Sequence, residues 1–108
     1  MFARNVSIRL KPNMLSDYTR TFEKEILPLL RKQKGFKDEI TFANAGAGGV
    51  DVTAISLWEN KTDAEAYNTN TYPQVLKTLE RFIEGTPKVQ TSDVVNSTFH
   101  TSAVQVAA

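Results

Sequence analysis

The chain predicts an α+β fold, and three observations carry that expectation. Segments of period two and segments of period three to four follow one another in the order βαββαβ. A glycine run closes the central pair of strands. Two helices can cover only one face of the sheet those strands would form.

Residues 2 to 11 read as the first strand, with Phe2, Val6, Ile8 and Leu10 on one parity and Ala3, Asn5, Ser7 and Arg9 on the other. Pro12-Asn13 stops it, and Asn13 is the expected cap of the following helix. There Leu15, Tyr18, Phe22, Ile26, Leu29 and Leu30 recur at spacings of three and four, which gives one apolar stripe. Pro28 should disturb the last turns, because it has no N–H to donate and its ring crowds the preceding turn. Gly35 should end the helix in a left-handed cap.

Phe36 to Ala45 reads as the second strand, with Phe36, Ile40 and Phe42 on one face. Gly46-Ala47-Gly48-Gly49 is the hairpin turn, since glycine supplies positive φ at no steric cost. The third strand, Val50 to Glu59, is apolar on both parities and so needs both faces covered. Thr62-x-x-Glu65 has the form of a capping box opening the second helix. That helix breaks around Asn68-Thr69-Asn70 and resumes at Tyr72-Pro73. Val75, Leu76, Leu79, Phe82 and Ile83 carry its stripe, and Gly85-Thr86-Pro87 should end it. A last strand is expected from 88 to about 102. Residues 1–102 thus form one ferredoxin-like domain with an antiparallel sheet, and 103–108 a frayed tail.

The helix-free face keeps apolar side chains, and so much contiguous apolar surface is unusual on a monomer. Pairing two such sheets face to face removes it, so a homodimer of the dimeric α+β barrel kind is expected.

Composition excludes several functions. Hydrophobic residues make up 41% of the 108, enough for one core. Thirteen basic residues against 12 acidic leave a net charge of +1, with no basic face for nucleic acid. No segment approaches the ~20 apolar residues of a membrane helix. The opening Met1-Phe2-Ala3-Arg4-Asn5 lacks the apolar stretch of a signal peptide, so a cytoplasmic protein is expected. Absence of cysteine removes disulfides, thiol catalysis and thiolate metal sites. The sole histidine, His100, has no second histidine or spaced acidic cluster with which to hold a metal. The glycine run joins two strands and lacks the Lys-Ser/Thr of a phosphate loop.

Pro28-Leu29-Leu30-Arg31-Lys32-Gln33-Lys34-Gly35-Phe36 resembles a segment common in antibiotic-biosynthesis-monooxygenase domains. Ser56-Leu57-Trp58-Glu59-Asn60 followed by Ala64-Glu65-Ala66-Tyr67 resembles their third strand running into the second helix. The resemblance spans roughly residues 2 to 100. It implies the dimeric barrel and a range of activities that includes cofactor-free oxygenases and haem degraders. In the haem-degrading branch a first-strand asparagine, a third-strand tryptophan and a second-helix histidine meet at the ligand. Asn5 and Trp58 match the first two; the second helix has no histidine, which argues against haem.

The resemblance therefore implies a cofactor-independent monooxygenase of a small phenol or hydroquinone-like aromatic, with no cofactor and no metal. Its alternative is a non-catalytic, ligand-binding or stress-related dimer. Asn5 would bond the substrate oxygen, or else be an amide satisfied within the fold. Trp58 would wall the pocket, or else fill the core with its N–H bonded nearby. Tyr67 and Tyr72 flank the helix break, where a phenol could reach a ligand or simply pack. Tyr18 and Phe22 would line the same space from the first helix, at a spacing that also suits core residues.

Overall fold

The computed structural model describes residues 1–99, so His100 and the tail lie outside the described residues. Strand β1 (Phe2–Leu10) leads through a turn to α1 (Leu15–Thr21), a π-helical turn (Phe22–Ile26) and α2 (Leu27–Arg31). A hairpin of β2 (Phe36–Gly46) and β3 (Gly49–Trp58) follows. Then come α3 (Lys61–Asn70), α4 (Tyr72–Leu79), a short 3-10 turn (Glu80–Phe82) and β4 (Ile83–Asp93). The sheet order is β2-β3-β1-β4, and every neighbouring pair is antiparallel. This is the ferredoxin-like α+β arrangement the pattern predicts.

Pro28 acts as its chemistry requires. Ahead of it the helix widens, and the Leu27 N–H reaches back five residues to the Phe22 carbonyl. The wider turn accommodates a ring that would crowd the carbonyl four residues earlier. Gly35 has φ +79°, and a Cβ there would overlap the Asp63 carboxylate, so the α2–β2 turn packs directly on α3.

Several boundaries differ from the sequence reading. Asn13 adopts φ +61° and lies in the turn, while Met14 occupies the cap position without a side-chain bond. The second helix is capped by Asn60, whose Oδ1 accepts from Asp63 N at 3.0 Å; Thr62 is already inside the helix, so no capping box forms. The register between β2 and β3 shifts between Phe36 and Asp38. Phe36 therefore shares a face with Trp58, while Ile40 and Phe42 point the other way. Gly85-Thr86-Pro87 does not precede the last strand but lies within it, as an irregularity opposite the Ser7–Arg9 stretch of β1. β4 thus begins at Ile83, and 94–99 lie outside it.

The core lies between the helices and the sheet face bearing Phe2, Ile8, Leu10, Val52 and Trp58. On the helix-free face, Ile40 and Phe42 are 53% and 46% exposed, beside Ile55, which pairs with Ile40, and Leu57. No helix among the described residues is long and apolar enough to cross a membrane.

Candidate functional site

Strand parity builds the site. Residues 2, 4, 6, 8 and 10 of β1 face the helices, so Arg4 enters an otherwise apolar row and is 3% exposed. The register aligns Arg4 with Ser56 of β3, and Ser56 with Glu39 of β2. A cation, a hydroxyl and a carboxylate thus stand in one row across three strands, with Arg4 and Glu39 two strand spacings (about 10 Å) apart at the backbone.

These three border a cavity of about 50 Å³ roofed by Tyr18, Phe22, Tyr67 and Tyr72 and otherwise apolar, with Val75 and Leu79 of α4 among its walls. Tyr18 and Phe22 arrive at helical spacing from the first helix, and Tyr67 and Tyr72 flank the break at Thr71. The sequence reading placed these four at a pocket, and here they meet at one. A groove of about 320 Å³ adjoins the cavity and shares Tyr18, Phe22 and Glu39 with it. An apolar cavity of ~150 Å³ holds a benzene ring, so the inner space admits an aromatic ring only if these partition side chains move.

Arg4 is the most unusual group in the site. Its Nη2 donates to Asn68 Oδ1 at 2.7 Å. Its Cζ lies 4.0 Å from the centroid of the Tyr72 ring and 5.3 Å from that of Tyr67. Its Nε is buried without a hydrogen-bond partner, and no carboxylate among the described residues forms an ion pair with it. Burial holds the guanidinium below its usual range, while the two phenols act in the opposite direction. An unpaired buried cation is costly. A ligand anion would satisfy both the charge and the free Nε.

The other ionisable groups respond to the same dry surroundings. Burial raises the Tyr67 phenol to about 12 and pushes Tyr18 up further. Glu39 is also raised by burial, opposed by a hydrogen bond from Thr41 Oγ1 to its Oε2 at 2.6 Å. The neutral forms of Tyr18 and Tyr67 are thus favoured, beside one carboxylate whose proton affinity is increased.

The two residues marked as catalytic from the sequence lie elsewhere. Asn5 has the opposite parity to Arg4 and faces away from the helices, between Ile55 and Gln90 on the neighbouring strands. Trp58 is fully buried behind the cavity wall, 5.0 Å from the Tyr67 ring and edge-on to Phe36 at 5.6 Å. Its Nε1 donates to Ser56 Oγ at 2.9 Å, so it reaches the site only through Ser56 and Tyr67. Sequence reasoning missed Arg4, Glu39 and Ser56. Arg4 left a signal, as a charge on the apolar parity of a strand; Glu39 did not, because the register shift near Phe36 reverses the parity of β2. Among the described residues no group of three His, Cys, Asp or Glu side chains could hold a metal ion.

No protein-family model and no curated protein matches the chain. Solved structures do. A monooxygenase of Streptomyces coelicolor in complex with nanaomycin D superposes with a TM-score of 0.69 at 15% identity, covering 89% of this chain and 88% of that one. SnoaB of Streptomyces nogalater, a cofactor-independent oxygenase solved as a mutant, gives 0.70 at 10% identity over 90% and 95%. An antibiotic biosynthesis monooxygenase gives 0.68 at 13% over 89% and 100%. Across nearly its whole described length, the chain has the fold of the antibiotic biosynthesis monooxygenases.

Proposed function

We propose that the protein is a cofactor-independent monooxygenase acting on a small aromatic substrate of phenol or hydroquinone type, held between the sheet and the helices. The observation that carries this reading is Arg4, a buried cation without a counter-ion at the edge of an apolar cavity. Such a group stabilises negative charge on a substrate oxygen, in surroundings where that interaction is stronger than in water. The deprotonated substrate supplies the electrons itself. It passes one to dioxygen, and the two radicals combine to form a carbon–oxygen bond as a peroxide. Loss of the proton on the oxygenated ring carbon and cleavage of the O–O bond leave a second carbonyl and one water, so that one phenolic C–OH, one ring C–H and O2 become two C=O groups and H2O. The protein has to orient the ring, hold the oxyanion and exclude water. In this reading Tyr67 and Tyr72, which border the cavity, orient it, while Trp58 backs Tyr67.

The apolar strip of Ile40, Phe42, Ile55 and Leu57 supports a homodimer, with a second copy covering the helix-free face. The small inner cavity favours a second reading, a non-catalytic binding dimer in which the space is core. Oxygen consumption over a panel of hydroquinones and anthrone-type phenols separates the two. The monooxygenase consumes one O2 per substrate, Arg4→Gln loses about 10–100-fold in kcat/KM, and Asn5→Ala keeps most of the activity. A panel in which no member consumes oxygen above its uncatalysed rate would overturn the enzymatic reading.

A further inference from the structure

We propose that Glu39 is the general base of this site, taking the phenolic proton of the substrate whose oxyanion Arg4 then holds. The inference rests on the cavity being the substrate site. It is carried by the row Arg4, Ser56 and Glu39 across three adjacent strands, which sets one cation and one carboxylate on opposite sides of a single apolar space.

Three features separate Glu39 from an ordinary surface carboxylate. It borders both the inner cavity and the adjoining groove, at the place a ring must pass or occupy. Its only hydrogen bond from a side chain among the described residues goes to Oε2, from Thr41, which leaves Oε1 free to accept a proton from a ligand. It forms no ion pair among the described residues, although Lys and Arg residues are plentiful in the chain. The titratable groups near it are Tyr18 from α1, Tyr67 from α3, Asp38 beside it in β2 and Glu23, which borders the same groove, with the Arg4 cation across the cavity. Burial is the main cause of its raised proton affinity and the neighbouring Asp38 adds to it, while the hydrogen bond from Thr41 acts in the opposite direction. A carboxylate of raised proton affinity is better matched to a phenol than an exposed one.

In the step itself, the substrate O–H bond breaks and its electron pair remains on oxygen beside Arg4. The proton forms the new O–H bond on Glu39 Oε1. Charge moves from one side of the cavity to the other, and no proton need reach solvent.

That last point gives a test independent of turnover. p-Nitrophenol, whose phenolate is coloured, is titrated into the whole protein at a pH below its own pKa. Calorimetry in two buffers of different ionisation enthalpy counts the protons released. Wild type should show bound phenolate with no net proton release. Glu39→Gln should show bound phenolate with one proton released per site, and about 100-fold lower kcat/KM for oxygen consumption. Glu39→Asp should recover part of the rate. Equal proton release by wild type and Glu39→Gln would overturn the assignment while leaving the Arg4 oxyanion site standing. A phenol bound in neutral form by both proteins would overturn it as well, even if wild type consumed oxygen. Intact proton transfer without oxygen consumption would retain Glu39 and remove the monooxygenase reading. No binding by any phenol would remove both.

Discussion

Replacing Arg4 by methionine removes the charge while keeping a long, flexible side chain in the same space. From the folded state it takes one charge-assisted hydrogen bond to Asn68, about 1.5–3 kcal/mol, and a cation–π contact with Tyr72, about 1–2 kcal/mol. Asn68 is exposed, so its freed oxygen returns to water at little cost. Against this, the substitution relieves the desolvation of the guanidinium, its unsatisfied Nε included, several kcal/mol for a buried ion. The two sides cancel to within about 2 kcal/mol, with the balance towards stabilisation. Thermal denaturation should therefore show a Tm unchanged or raised by up to about 10 °C. Binding of an aromatic anion, followed by quenching of the single tryptophan, should weaken about 10–100-fold. A group maintained for function at a cost in stability behaves in this way. If Arg4 were instead a structural tie, its loss would cost about 3–5 kcal/mol. A Tm lowered by more than about 15 °C, with ligand affinity unchanged, would refute the oxyanion role.

Further outcomes follow from the same geometry. Unfolded tyrosines ionise near 10.0, whereas Tyr67 keeps its proton to about 12 and Tyr18 beyond that. Above pH 10.0 the folded state binds more protons than the unfolded one, so stability falls as pH rises, by about 1.4 kcal/mol per unit for each phenol. Urea midpoints measured from about pH 9 to 11 should decline, and Tyr67→Phe should flatten the slope; a flat wild-type profile would show that these phenols are not held neutral by the fold. Ile40→Glu places a charge in the apolar strip of the helix-free face, and light scattering should find the dimer converted to monomer with the fold retained. A wild type that is already monomeric at high micromolar concentration would remove the barrel model.

The sequence made the fold readable because its period-two and helical segments are long, and because Gly35 and the Gly46–Gly49 run mark real turns. It was weaker wherever a local rule met a tertiary one. Thr62 and Glu65 satisfy the spacing of a capping box, yet Asn60 lies two residues earlier and takes the cap. Gly85 and Pro87 read as a terminator, but β4 tolerates both as an irregularity at the sheet edge, where a missing donor leaves no partner unpaired. The shift beside Phe36 moves Glu39 to the inward face and turns Ile40 and Phe42 outward, which alternation alone cannot register.

Arg4 is a different case, because its signal was present and needed one more fact to be read. A charge on the inward parity of an edge strand can reach water along its own stem, so parity alone does not mark it. The order β2-β3-β1-β4 makes β1 a central strand; α3 supplies Asn68 and Tyr67 above it, and α4 supplies Tyr72 just past the break at Thr71. Escape to solvent is then closed, and the guanidinium remains dry. Asn5 shares the strand but has the other parity, so the same logic sends it to the helix-free face. What distinguishes these two neighbours is therefore not polarity, which both have, but which side of a central strand each occupies. On that ground Arg4 and not Asn5 is the polar group of β1 from which the chemistry of the cavity should be sought.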